Sequence, residues 1–305
     1  MGGGCSHGTF SFQVVACIHV REGPVCMGTY RYFGLKRTTL MAASYFHGTS
    51  VTLTGLVALA AVAGPAPASA AVTNVGTAYR LNDGVIAYRE SHMLFESGGV
   101  PSRLVLYRCP DGSAFARKIV RERTGALTPD FDLIDGRSGH REGVRTTSNG
   151  REVYWQKSAA AAEKKKLLDM PSSAVIDAGF DAKVQSEWAR LAADQVVSAN
   201  FLLPSAMRFF KVGIERGTSK AAGGMTRLRM KLDTWYGFAA PETQLDYRTS
   251  DRRLLRFEGL GSVRDMAGRN QSVRIEFPGG LQGKQASPGE IEAARTLPLT
   301  GRCGV

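Results

Sequence analysis

From about residue 75 onward, the apolar positions of this chain recur at every second residue. Leu228, Met230 and Leu232 alternate with Arg227, Arg229, Lys231 and Asp233. Phe210, Val212 and Ile214 alternate with Lys211 and Glu215, and Val273, Ile275 and Phe277 with Arg274 and Glu276. Successive side chains of a strand point to opposite faces, so this period predicts antiparallel strands with one face in a core and one in water. Turn sequences separate the runs: Asn82-Asp83-Gly84, Pro110-Asp111-Gly112, Asp135-Gly136, Asn149-Gly150 and Thr249-Ser250-Asp251. These signals predict about ten strands in a mostly up-and-down order.

Two segments depart from that period. Residues 158–168 read SAAAAEKKKLL, a composition of strong helix formers. Over 180–193, Phe180, Val184, Trp188 and Leu191 recur at helical spacing, with Asp177 or Asp181 able to cap the start. The expected fold is α+β, mainly antiparallel β: a curved, half-barrel-like sheet of about ten strands packed on one main helix. Residues 279–305 are rich in Gly, Pro and Ala and predict a poorly ordered tail.

Upstream of the alternating region the character changes. Residues 51–64 carry no charge, and Pro65, Pro67 and the small-x-small run Ala68-Ser69-Ala70 follow. This is the layout of a secretory signal peptide, a short apolar helix ahead of a segment that fits the protease groove. Residues 41–70 are the expected signal peptide, and 1–40 an upstream or non-native extension. Starting at Met41 leaves no Lys or Arg before the apolar run, whereas Met27 adds Arg31, Lys36 and Arg37. The alternative is a retained anchor, because 51–72 is an uncharged stretch nearly long enough to span a bilayer. Two rival acylation patterns lie further upstream, Met1-Gly2-Gly3-Gly4-Cys5-Ser6 and a lipobox-like Val14-Val15-Ala16-Cys17.

The chain has 305 residues, 43% of them apolar, and a formal charge of +12, so neither global disorder nor collagen fits. Cleavage after Ala70 leaves 71–305 as the mature chain, with 71–278 as a single β-rich domain. Of the five cysteines only Cys109 and Cys303 lie beyond that point. Export would permit a disulfide between them, closing a long loop.

Few residues point to chemistry. His92 and His140 are the histidines beyond residue 70, and no G-x-S-x-G elbow, C-x-x-C pair, H-E-x-x-H motif or phosphate-binding glycine loop occurs. No cofactor and no metal ligand set are therefore expected. One constellation stands out: Tyr88, Glu90 and His92 alternate along one strand and share a face, with Arg108 and Cys109 on the next strand. A carboxylate beside an imidazole can act as an acid/base pair or hold a polar head group, although the wet face of a strand often carries such residues for solubility. The second candidate is a basic set, Arg227, Arg229 and Lys231 with Arg252, Arg253 and Arg256, suited to an anionic ligand. The interleaved Asp233, Asp251 and Glu258 offer these cations ion pairs instead. Nucleic acid is not an expected partner of an exported chain.

Leu245-Asp246-Tyr247-Arg248, the run from Arg252 to Gly259 (RRLLRFEG) and the later strand at 273–278 resemble uncharacterised exported bacterial envelope proteins over about the last third of the chain. That resemblance names no activity. At the level of fold, a curved sheet around a helix is similar to the half-barrel lipoprotein carriers of bacterial envelopes. It implies a periplasmic or secreted protein that binds an apolar or amphipathic ligand, such as lipid or lipoprotein, or another envelope protein, without catalysis. The alternative is an envelope hydrolase or other acid/base enzyme using the Glu90/His92 face. A third reading is a module whose sheet edge recruits a partner strand.

Overall fold

A computed structural model describes residues 16–20, 23–27, 75–218, 223–233, 242–266 and 268–303. The expected leader at 41–70 lies outside the described residues. An antiparallel hairpin, β1 (Ala16–Val20) and β2 (Gly23–Met27), forms a two-stranded sheet in the upstream unit. Among the described residues no helix is long and apolar enough to cross a membrane.

The unit from residue 70 onward is one sixteen-stranded sheet with few helices. Its first half is a meander: β3 (Val75–Arg80), β4 (Ile86–Ser97), β5 (Val100–Arg108), β6 (Ala114–Arg121), β7 (Asp130–Asp135), β8 (His140–Thr147), β9 (Gly150–Gln156) and β10 (Lys164–Leu167). After β11 (Ala174–Val175), α1 (Gly179–Ser186) and α2 (Trp188–Ala192), the second meander runs through β12 (Val197–Leu203), β13 (Arg208–Arg216), β14 (Met225–Leu232), β15 (Thr243–Arg248), β16 (Leu254–Arg264) and β17 (Asn270–Glu276). The halves join where β17 pairs antiparallel with β3, and β11 lies parallel to β12. The sheet is not closed: β10 and β11 are its two ends. Last come β18 (Lys284–Gln285), parallel to β4 at Met93 and Leu94, and α3 (Pro288–Thr296).

One face of the sheet, called inner here, carries Tyr88, Val105, Tyr107, Ala116 and Leu133 from the first meander and Ile214, Leu228, Leu245 and Tyr247 from the second. Val184, Trp188 and Leu191 of α1 and α2 pack among them, with Trp188 edge-on to Tyr247 at 5.8 Å between ring centroids. On the outer face, Leu104 and Leu106 are covered by Ile291 and Ala294 of α3. All four residues from Leu104 to Tyr107 are therefore buried, where a half-wet strand alternates.

Several expectations need correction. The sheet has sixteen strands rather than about ten. The alanine- and lysine-rich stretch at 158–168 is not a helix; its residues 164–167 form β10, paired with β9 from Lys164↔Trp155 to Leu167↔Glu152. A helix there would have no apolar stripe to bury, whereas β9 offers unpaired backbone groups at a sheet edge, and tertiary pairing overrides propensity. The single helix expected over 180–193 is broken at Glu187 (φ −101°, ψ 11°), yet Val184, Trp188 and Leu191 all still face the core. The tail expected to be poorly ordered contains β18 and α3. Its helix starts with Ser287 as N-cap, Pro288 next, and Glu290 closing a capping box onto the Ser287 backbone N–H.

Candidate functional site

Tyr88, Glu90 and His92 do share a face, but it is the inner one. Strand β4 alternates so that these three side chains are buried, Glu90 and His92 being 7% and 6% exposed. The solvent-face explanation for the trio therefore does not hold. Glu90 Oε1 and His92 Nε2 are 3.0 Å apart, and the Phe277 ring lies edge-on to the imidazole at 6.1 Å. Gly76, opposite Glu90 in the ladder, makes room for that ring: a Cβ there would stand 2.5 Å from Phe277 and 3.0 Å from Glu90 Cγ. Tyr88 packs edge-on to Tyr107 and Phe115. Its buried hydroxyl finds no hydrogen-bond partner among the described residues, and burial, reinforced by Glu90, pushes its pKa up.

Beside the trio sits a second ionic group. Lys118, on the inner face of β6, places Nζ 2.9 Å from Asp177 Oδ1 and 3.4 Å from the hydroxyl of Ser262. Burial works against its ammonium, but Asp177, Tyr107 and Glu90 outweigh that and push its pKa up, so it stays cationic. Burial likewise pushes Tyr107 up, so the phenol stays neutral. Asp177 adopts φ 45°, a left-handed conformation that Asp tolerates better than most residues. Ser262 lies where β16 leaves its register with β17, between Leu260 and Arg264. The arrangement can hold charge in compensating pairs and pass a proton between Glu90 and His92. With Lys118 held protonated, it lacks an amine base for Ser262.

A parallel arrangement escaped the sequence reading. On β8, His140 and Glu142 repeat the two-residue spacing of Glu90 and His92 in reverse order, and that repetition is the signal that would have found them. His140 Nδ1 donates to the Gln156 carbonyl at 2.7 Å, while Nε2 lies 3.2 Å from Glu142 Oε2. Arg264 approaches both, and Trp155 stacks edge-on to His140. Next to it, Arg137 is fully buried, pairs with Asp135 at 2.6 Å, donates to the Arg264 carbonyl at 2.5 Å, and lies 3.9 Å above the Phe115 ring.

The basic set does not form one anion site. Arg227 takes Asp246 through two hydrogen bonds of 2.6 and 2.7 Å, and Arg229 pairs with Glu215 at 2.8 Å. Arg252 sits 5.7 Å above the Trp188 ring, Arg253 donates to Gln282, Lys231 meets Glu215, and Arg256 bonds Glu258. Arg108 is turned to the Gly112 carbonyl, away from Glu90. Cys109 and Cys303 are joined as a disulfide. Among the described residues, no group of His, Cys, Asp and Glu is arranged to hold a metal ion.

No family model matches this chain, and neither a curated protein nor a solved structure matches it. Its residues alone carry the argument. Beside the charge-compensated interior, the described residues form an open polar cleft of about 430 Å³ lined by Arg121, Asp130, Asp132, Arg145, Thr146 and Tyr154, and another of about 490 Å³ lined by Met225, Arg248, Thr249, Ser250 and Leu255.

Proposed function

We propose that this chain is an exported envelope protein that binds a long acyl chain, or a similarly extended apolar group, without catalysis. In this reading the open sheet acts as a half-barrel and α1–α2 is its displaceable plug. One observation carries it: α1–α2 lies against the inner face through Val184, Trp188 and Leu191, and the pair is bracketed by Asp177 (φ 45°) and Asp194 (φ 58°). Left-handed residues at both ends and the break at Glu187 are where a hinged segment would absorb its dihedral change. The N-cap of α1, Ala178, offers no side-chain cap to the first turn.

The energetics select the ligand class. Uncovering Val184, Trp188 and Leu191 costs about 1.5–3 kcal/mol for each side chain. An acyl chain returns about 0.8 kcal/mol per buried methylene, so roughly ten carbons are needed to displace the plug. Small polar metabolites do not meet that requirement. The signal-peptide layout expected at 41–70 and the Cys109–Cys303 bridge support export, because disulfides persist in oxidising compartments. The retained anchor at 51–72 remains the competing form of the same reading.

Trp188 reports on the plug. A variant with Trp155→Phe and Trp235→Phe, titrated with a C16 fatty acid, should show a saturable red shift as Trp188 leaves Tyr247. Lipid extracted from the periplasmic protein, with a mature mass starting at Ala71, is the matching result in cells. Unchanged Trp188 emission together with lipid-free protein would sink the carrier reading. A second reading, acid/base catalysis, is favoured by the Glu90–His92 hydrogen bond next to Lys118. Under it His92→Ala abolishes turnover of an envelope ester or amide, while under the first reading His92→Ala leaves fatty-acid binding intact.

A further inference from the structure

Tyr154 of β9 stands opposite Gly143 of β8 in the ladder, and Gly143 stands opposite Asp132 of β7. A side chain at Gly143 would collide with the Tyr154 hydroxyl and the Phe131 carbonyl, so the glycine is what lets Tyr154 cross β8 and donate to Asp132. Burial, reinforced by Asp132, pushes the Tyr154 pKa up and keeps this donor protonated. Alternation puts Asp130, Asp132, Arg145 and Tyr154 on one face, with Arg121 of β6 opposite Asp130. Their side chains wall the cleft of about 430 Å³, a volume in the range of small-molecule sites.

Most of the charge in this cleft is answered within the fold. Asp130 accepts from the Thr146 N–H at 3.3 Å and hydroxyl at 3.1 Å, and pairs with Arg151 at 3.0 Å. Asp132 uses Oδ1 for both Tyr154 and Arg141, which leaves its Oδ2 without a hydrogen bond among the described residues. Arg145 is committed to Glu152 at 2.6 Å and Glu163 at 3.2 Å, and lies 4.8 Å above the Tyr154 ring. Arg121 and Arg123 are not committed. The Arg121 guanidinium makes no hydrogen bond or ion pair among the described residues, and Arg123 has only a 3.8 Å contact with Asp130. Lys165 of β10, opposite Tyr154 in register and so on the same face, is exposed and likewise unpaired among the described residues.

Two unpaired guanidinium forks in one cleft call for more than a single carboxylate, which one fork already satisfies. A phosphate monoester brings about −1.5 to −2 of charge at neutral pH and three strong acceptor oxygens. Asp132 Oδ2 repels a second anion and instead accepts from a hydroxyl. We infer that this cleft binds the phosphate monoester of a hydroxylated compound, such as a sugar phosphate, with the phosphate on Arg121 and Arg123 and a hydroxyl on Asp132 Oδ2. The same group can arrive as a free ester or as the headgroup of a lipid. The site is independent of α1–α2 acting as a plug, since a fatty acid carries no phosphate.

The test titrates the full chain at low salt by calorimetry with glucose 6-phosphate, and by co-sedimentation with phosphatidylcholine vesicles doped with phosphatidylinositol 4-phosphate. Binding of glucose 6-phosphate identifies a free ester as the source, and binding of the doped vesicles alone identifies a lipid headgroup. Binding of neither overturns the site. Arg121→Gln with Arg123→Gln should weaken whichever binding is seen by about tenfold or more, because each fork gives charge-assisted hydrogen bonds. Arg80→Gln, which removes one positive charge elsewhere, should leave it unchanged. An affinity untouched by the double variant, or lowered as much by Arg80→Gln, overturns the placement. Arg121→Gln alone, at a side chain that holds nothing in the fold, decides should the double variant not fold. Methyl phosphate, which has no hydroxyl, should bind several-fold more weakly than glucose 6-phosphate, and in the vesicle arm phosphatidic acid more weakly than phosphatidylinositol 4-phosphate. Equal affinities in that comparison overturn the role of Asp132.

Discussion

Asp181, near the start of α1, carries a carboxyl that burial pushes above the ordinary 3.8, with Tyr247, Arg103 and Gln185 acting the other way. The folded state therefore holds this proton more tightly than the unfolded chain does, and the group opposes folding once ionised. That cost appears as pH rises from the ordinary value through the raised one. Asp181→Asn should be more stable than wild type at pH 7 and indistinguishable from it near pH 3 in denaturant titrations. Lys118 behaves differently because its charge is compensated. Lys118→Ala leaves the Asp177 carboxylate without its cation and should cost about 3–5 kcal/mol, whereas Lys118→Met with Asp177→Asn, which removes both charges and keeps a side chain suited to φ 45°, should cost less. Equal losses in the two variants would refute the ion-pair account. Gly76→Ala should push the Phe277 ring off His92 and destabilise the fold, with the largest shifts in the Phe277 and His92 ring resonances. At this scale the sequence showed that Tyr88, Glu90 and His92 share a face, because alternation is strict. It did not show that the face is buried, since Lys118 on β6 and Asp177 in the connection between β11 and α1, which compensate the charge there, come from distant segments and carry no local signature.

At the scale of elements, α3 stands on its capping box. Glu290 accepts from Lys284 and Ser287, which pull its pKa down from 4.5 to about 2. A depressed carboxylate supports folding fully above its ordinary value and loses that support as pH falls to about 2. Amides of α3 should stay protected at pH 5 and lose protection through that acid window before the sheet does. Ser287→Ala should remove about 1 kcal/mol of local helix stability, read as faster exchange confined to α3. This helix was legible, since Ser287, Glu290, Ile291 and Ala294 are a capping box followed by a helical apolar pair, but the surrounding glycines and prolines hid it. The reverse happened at 158–168, where propensity pointed to a helix and the open edge of β9 took 164–167 as a strand. The alternating runs over 210–214, 228–232 and 273–277 were read correctly because each has one face in the core and one in water. Strands covered on both faces, such as β5, show no alternation across 104–107, and the cover itself comes from a distant segment.

At the scale of the molecule, the disulfide joins Cys109, just after β5, to Cys303, beyond α3, across a sequence separation of 194. Removing it by Cys303→Ser should cost about 2–5 kcal/mol in global stability. An unfolding midpoint unchanged between oxidised and reduced protein would show that the cross-link adds nothing to the stability of the sheet. Sequence spacing could permit this bond but not establish it, because whether two distant cysteines meet depends on how the whole sheet brings Ala114 to Gly301.

The seam between β17 and β3 sets the order in which the chain can assemble. Every other antiparallel pair in the large sheet joins strands that follow one another in sequence, so each meander can zip up from short-range contacts. Val273 meets Arg80 only after a loop of roughly two hundred residues has closed. Refolding should accordingly show two fast, independent collapses and one slower docking event. Substitutions at Ala78 or Ile275 would slow that last event alone, and a nascent chain would hold its first meander ready, with one edge exposed, until its final strands arrived.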